Sequence, residues 1–270
     1  MGKRPRQWLP AMLLALAQLS CATDFGVDAN SPIDGRVKVS IFEGFPMNGQ
    51  PGDPTIILAM QTEQTYGCIN FSILADVDSK PGIITVTIRG IHKPEICLTA
   101  FGPATYRNTL PLSPGAYQLL VRNGSASDRH TLEVTGTSIR MTAGTSTVSI
   151  VSSTLSWRIP VRSFAYLCGT TVETAWMCES FRDSLLRIPS LREFTFPDSG
   201  DAPYPAASTG YWHNDPAKYF SYVTEADYDS AGAMLKRYTR QVIGDRQGIG
   251  LSLVNWRNIP FMSWVFSQNP

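Results

Sequence analysis

"SFAYLCGTTVETAWMCESFRDSLLRIP", residues 163–189, is where the pattern of the chain changes. Residues 163–169 read as a strand. Thr170-x-x-Glu173 then gives a capping-box signal, in which each side chain bonds back to the other residue's backbone N–H. Cys178, Phe181, Leu185 and Ile188 recur on one helical face until Pro189, which removes a donor and ends the helix. Residues 35–154 before this stretch largely follow the two-residue period of strands, and the chain beyond it mixes strands with helices.

Upstream, "RVKVSIF" (36–42), "TIILAMQT" (55–62), "CINFSILA" (68–75), "GIITVTIRG" (82–90), "AYQLLVRN" (116–123), "RHTLEVTG" (129–136) and "STVSIVSS" (146–153) are rich in β-branched residues and largely alternate. "NGQPGDP", "DSKPG", "LSPG" and "NGSASD" punctuate them with residues that supply turn dihedrals. Short strands at this spacing predict an antiparallel β-sandwich of immunoglobulin-like shape over residues 35–154. "GIHKPEICLTA" offers room for one helical turn.

Downstream, "LREFTF" (191–196) and "KYFSYV" (218–223) read as strands. Thr224-x-x-Asp227 opens a second helix with Tyr228, Ala231, Leu235, Tyr238 and Val242 on one stripe and Gly244 as its stop. "IGLSLVN" (249–255) and "FMSWVF" (261–266) are the last strands. The order is that of a ferredoxin-like β-α-β-β-α-β domain with one added strand, over residues 162–268. The expected class is therefore all-β plus α+β, with the boundary near 154–162.

Residues 1–22 have the parts of an export signal: Lys3, Arg4 and Arg6, an apolar centre from Trp8 to Leu19, and the small residues Ser20 and Ala22. The centre holds about twelve residues, too few to span a hydrocarbon layer of about 30 Å. Cys21, directly after "QLS", resembles the lipidation site of bacterial lipoproteins, although Gln18 stands where that family usually has Leu. The resemblance covers the first 21 residues and implies a membrane contact through a lipid on Cys21, with Ala22 behind it implying the outer membrane. A cut after Ala22 instead leaves a periplasmic or secreted chain.

The signal carries three of the 23 basic residues and none of the 22 acidic ones, so the rest of the chain is slightly acidic. That gives no electrostatic footprint for nucleic acid as a partner. Beyond Cys21, the cysteines are Cys68, Cys97, Cys168 and Cys178. In an oxidising compartment this even set predicts two disulfides. Of three possible pairings, sequence grouping favours Cys68 with Cys97 and Cys168 with Cys178. Their spacing is not that of a metal site.

No nucleophile elbow, H-E-x-x-H, phosphate loop or G-x-G-x-x-G occurs, so neither an enzyme class nor a cofactor is indicated. One long irregular stretch, "PDSGDAPYPAASTGYWHNDPA" (197–217), gathers Asp198, Asp201, His213 and Asp215 with Tyr204, Tyr211 and Trp212. The carboxylates and histidine are candidates for acid–base catalysis. The aromatic faces are candidates for binding a glycan or an extended peptide. His92 and His130 sit among strands and read as structural. Asn70-Phe-Ser72 and Asn123-Gly-Ser125 fit the glycosylation pattern, which matters only in a eukaryotic secretory pathway. The expectation is an exported, lipid-anchored envelope protein acting as a non-enzymatic binding or structural module. Its alternatives are a secreted hydrolase with its site in 197–217 and a glycan-binding module.

Overall fold

The computed structural model describes residues 31–204, 213–214 and 216–267. The export signal with Cys21, and Tyr211, Trp212 and Asp215, lie outside the described residues. The fold is β-rich α+β. Its strands are Val37–Gly44 (β1), Thr55–Tyr66 (β2), Ser72–Lys80 (β3), Ile83–His92 (β4), Gly102–Leu110 (β5), Gly115–Asn123 (β6), Ala126–Val134 (β7), Ser138–Thr142 (β8), Ser149–Val151 (β9) and Leu155–Trp157 (β10), followed by Ser163–Thr170 (β11). Helix Trp176–Leu186 (α1), strands Arg192–Phe194 (β12), His213–Asn214 (β13) and Lys218–Ser221 (β14), helix Glu225–Tyr238 (α2), strands Ile249–Asn255 (β15) and Pro260–Met262 (β16), and helix Ser263–Ser267 (α3) complete it.

The first ten strands hydrogen-bond along one path, β10-β8-β7-β6-β4-β3-β5-β2-β1-β9. Where a two-sheet immunoglobulin-like sandwich is expected, the chain thus makes a single ten-strand sheet curled into a half-barrel. Its two end strands, β9 and β10, are separated by only residues 152–154, so the sheet bends until its ends approach each other. Ser152 N–H donates to the Val39 carbonyl at 2.9 Å and Met141 N–H to that of Thr154 at 2.9 Å, stitching both ends to this short link. The midpoint is weak: β3 and β5 meet in a single parallel bridge, Ser72 to Thr105. Alternation fixes which side chains face inward, and Val37, Val39, Ile41, Ile84, Val86, Leu119, Val121 and Leu132 duly fill the core. It says nothing about which strands are neighbours, and the parallel pairs β4–β6 and β1–β9 arise from long connections instead.

Strands β5, β8 and β10 are absent from the sequence expectation. Those stretches lack a strong apolar rhythm: β5 buries only Gly102, Ala104 and Leu110, and β10 is three residues long. "GIHKPEICLTA" forms no helical turn, and the disulfide Cys68–Cys97 ties it down, with Cα atoms 5.2 Å apart. A loop of about 30 residues closed this way stabilises by about 3–4 kcal/mol in the chain-entropy account.

The second sheet runs β12-β14-β11-β15-β16, all antiparallel, with β13 paired to the far end of β11. One face of it, Phe164, Tyr166, Cys168, Phe220, Leu251 and Leu253, packs against α1 and α2. Phe164 stacks on Phe220 at 5.2 Å, and Phe181 meets Tyr166 and Tyr238 edge-on at 5.4 and 5.1 Å. Cys168 and Cys178 form the second disulfide, joining β11 to α1.

The caps refine the sequence reading. At α1 the reciprocal box lies one residue later, between Thr171 and Thr174, and encloses a short 3-10 turn before the helix proper. At α2, Thr224 N–H donates to Asp227 Oδ2 at 2.7 Å, and Tyr228, Ala231, Leu235 and Tyr238 are buried. "FMSWVF" is a strand only to Met262, because Ser263 Oγ accepts the N–H of Leu251 at 3.0 Å and ends the ladder where α3 begins.

Candidate functional site

The outer face of a curled sheet should be polar, yet β1 and β2 carry Phe42 and Ile57 there, directly opposite each other. Ile56, Ile57 and Leu58 are all buried, so β2 is covered on both sides. The covering comes from the second half of the chain. Asp201 forms an isolated parallel bridge to Ser156, its N–H donating to the Leu155 carbonyl at 2.9 Å, and Trp157 N–H returns a bond to the Asp201 carbonyl at 2.9 Å. This docks residues 201–204 beside β10 and leaves a groove of about 820 Å³ over the sheet.

Phe42 and Ile57 line the groove floor, with Phe45, Pro46 and Met47 at one end, Ser152, Ser153 and Ser156 along one wall, and Ala202, Pro203 and Tyr204 along another. Arg107, exposed on β5 and in register with Ala59, brings a guanidinium to it. Among the described residues Arg107 has no carboxylate partner. Among the described residues the carboxylate on the groove is Asp201, which accepts the Ser153 O–H.

Tyr204 is a closed wall rather than an open platform. It is buried, its Oη is 2.7 Å from Ser163 Oγ, and its ring stacks on Tyr219 at 5.7 Å and meets Phe45 edge-on at 6.1 Å. Burial pushes its phenol well above the ordinary range, only partly offset by the Ser163 hydroxyl, so it stays neutral.

The two halves are held at this junction by Glu43, which is 3% exposed. Its carboxylate accepts Arg158 Nε at 2.8 Å, Arg158 Nη2 at 2.6 Å and the Ile159 N–H at 2.6 Å. Arg158 also donates to the Thr135 carbonyl at 2.9 Å. Both carboxylate oxygens are engaged, so Glu43 is a fastening and not an acid or base.

Of the candidates from residues 197–217, the two carboxylates whose side chains are described, Asp198 and Asp201, open onto different grooves. Asp198 is exposed on a separate groove of about 450 Å³ with Glu193, Phe196, Lys218 and Tyr219, while Asp201 opens onto the larger one. The His213 backbone pairs with that of Thr170, and its side chain lies outside what the structure describes. Among the described residues, no group of three or more metal-ligating side chains converges.

A Ser–His–Asp set does exist elsewhere, and sequence reading missed it. His130 Nε2 is 2.8 Å from Ser149 Oγ, which in turn donates to Asp128 Oδ2 at 3.0 Å. The Gly144 N–H donates to His130 Nδ1 at 3.2 Å, so that nitrogen is the acceptor and Nε2 carries the proton. The imidazole therefore donates to the serine, the reverse of what a general base does. All three residues are at most 1% exposed. Asp128 also accepts the N–H groups of Thr147, Val148 and Ser149 at 2.7–2.8 Å, and so latches the strand β9 to β7. Burial opposes ionisation of Asp128, but these bonds outweigh it and hold its pKa well below the carboxylate range. Burial lowers the pKa of His130, against the attraction of Asp128.

Compared with protein-family models, curated proteins and solved structures, the chain matches none.

Proposed function

We propose that this chain is an exported, lipid-anchored bacterial envelope protein whose groove between the two halves binds an extended peptide segment of another envelope component. One observation carries the reading: an apolar strip on the outer face of a sheet, roofed on one side by Ala202–Tyr204 and served by Arg107, which has no carboxylate partner among the described residues. Such a strip suits apolar side chains spaced two apart, and the guanidinium suits an acidic group beside them. On the serine wall, Ser152 and Ser153 donate their O–H groups to the Val39 carbonyl and to Asp201, which leaves their oxygens to accept a peptide N–H. The reading as a hydrolase finds less support, because among the described residues the groove is lined by one carboxylate, already bonded to Ser153, and by no histidine. In the same spirit we take the second sheet, with its order β12-β14-β11-β15, as a ferredoxin-like unit extended by β16, and the half-barrel as a relative of the immunoglobulin-like sandwich.

A photo-crosslinking side chain placed at Met47 in the native host tests this. The expected result is one dominant adduct to an acidic, extended segment, lost on Arg107→Glu and restored by a charge-reversed partner. No adduct, or one indifferent to Arg107→Glu, overturns the peptide reading. Turnover of a hydrolase substrate that disappears in a folded His213→Ala variant would establish the enzymatic alternative instead.

A further inference from the structure

Four apolar side chains stand in solvent around the first disulfide: Phe101 at 84% exposed, Ile96 at 76%, Leu98 at 55% and Ile69 at 50%. They belong to two segments, one between β2 and β3 and one between β4 and β5, and they are held rigid. Cys68–Cys97 joins the segments. Asn70 Nδ2 donates to the Ile96 carbonyl at 2.7 Å and Asn70 Oδ1 accepts the Leu98 N–H at 3.1 Å. The Ile69 N–H bonds the Leu98 carbonyl at 3.1 Å. Beneath them Tyr66 and Phe71 pack at 5.3 Å and are buried, so this tip has its own small foundation. A rigid scaffold presenting large apolar side chains outward is the mark of a contact surface, because loose apolar loops would fold down onto the protein.

Register places the tip. At one end of the half-barrel, β1 starts at Val37, opposite Thr62, and β2 continues past it to Tyr66. The chain reaches β1 through Ile33, whose N–H donates to Asn123 Oδ1 at 3.0 Å and whose carbonyl accepts Asn123 Nδ2 at 2.7 Å, at the end of β6. In β4, Ile88 is level with Asn123 and the strand runs on to His92. The tip therefore projects about 13 Å beyond the place where the N-terminal segment meets the barrel, at about 3.3 Å per residue. Glu43 and its junction with the second sheet lie at the opposite end of β1. Between Cys21 and Ser31 there is chain for a reach of at most about 35 Å.

We infer that the Cys68–Cys97 tip is a membrane contact: Phe101, Ile96, Leu98 and Ile69 insert at the headgroup–acyl boundary of a lipid bilayer and set the protein upright, with the groove and second sheet facing away. The occupant is a lipid surface because the tip shares its end of the barrel with the segment that leads to Cys21, and because a lipid chain and an apolar insertion at one end act as two anchoring signals. The inference rests on the anchored-envelope reading for that placement, but the tip's affinity for lipid is a property of the folded chain alone.

The experiment uses the chain from residue 21 onward with Cys21→Ser, so that no lipid is attached, and vesicles of phosphatidylethanolamine and phosphatidylglycerol. Co-sedimentation should occur, persist in high salt, and fall by about tenfold or more in Phe101→Ser and in Ile96→Ser. Val223→Ser, at an exposed apolar site in the other half, should change nothing. A Phe101→Trp chain should gain blue-shifted emission only with vesicles. Absence of vesicle binding by the Cys21→Ser chain overturns the inference, as does an unshifted emission of the Phe101→Trp chain with vesicles or binding lost equally in Val223→Ser. Failure of the anchored reading is seen separately, as an intact mass from the native host without a lipid increment.

Discussion

The two sheets bury their inner faces by different means. The second sheet lies under α1 and α2 and is packed by aromatic rings, with Phe164, Phe181, Phe220 and Tyr228 almost wholly enclosed. The half-barrel covers itself by curling, and its closure depends on buried polar groups. Asp128 latches β9, Ser149 and His130 complete that network, and Glu43 fastens the far end of β1 to Arg158. Rings tolerate small displacements, since dispersion contacts are many and individually weak. A buried carboxylate has no such tolerance, because a lost partner leaves a desolvated charge. The half-barrel should therefore be brittle where the second sheet is forgiving.

The hardest blow to this contrast is Glu43→Ala. It removes the acceptor for Arg158 and for the Ile159 N–H, and loss of one member of such a buried pair costs about 3–5 kcal/mol. Urea titration should show that loss. Hydrogen exchange should show it concentrated in β1, β10 and residues 158–160, with α1 and α2 still protected. Equal loosening of α1 and α2 would mean that the two halves unfold as one unit and that the contrast has little meaning.

Each half has a glycine where a Cβ is blocked, and the two obstacles differ in kind. At Gly144 an added Cβ would lie 1.9 Å from the Arg129 carbonyl oxygen, which is backbone in the β7 strand. At Gly232 it would lie 2.5 Å from the Phe261 ring, a side chain near the end of the molecule. Gly144→Ala should cost about 3 kcal/mol and also break the bond to His130 Nδ1, while Gly232→Ala should cost about 1–2 kcal/mol as the ring moves aside. Thermal unfolding of both variants distinguishes them, and similar losses would show that the strand can shift as easily as the ring.

The same difference explains what the sequence disclosed. The helix stripes at Tyr228, Ala231, Leu235 and Tyr238, both disulfide pairs and the strand–helix order of the second half are legible because they are local, or are pairs of reactive residues with few partners to choose from. The curl of the first sheet is not legible, since period two is satisfied by any neighbour. Of the groove, "TIILAMQT" held a usable signal: three consecutive apolar residues say that β2 is covered on both faces. What covers it, residues 201–204, is distant in sequence and joined through backbone bridges that no side-chain pattern records. The Asp128–Ser149–His130 set is invisible for a related reason, as three common residue types at uninformative spacing.

The smallest effect expected is on pH, and its sign is set by which form each group prefers when folded. His130 has a folded pKa below its ordinary value of 6.5, so the unfolded chain binds more protons below that pH. The stability it contributes is complete above about pH 6.5 and declines as pH falls toward the folded pKa. Asp128 is also depressed, and its contribution is complete above the ordinary carboxylate value and is lost further down, as pH falls through its folded pKa. The half-barrel should thus weaken in two acid stages. In the second half of the chain, Tyr222 and Tyr228 are shifted the other way, burial raising both, so their contribution holds until pH passes about 10, where only the unfolded chain loses those protons. Exchange at β9 and β7 compared with α2, followed from pH 8 down to about 2, should show the latch loosening first. His130→Gln, which keeps a donor for Ser149 and cannot be charged, should flatten that first stage while leaving the second in place. If the profile is unchanged in His130→Gln, the acid sensitivity has another source, and the polar latch is less brittle than its burial implies.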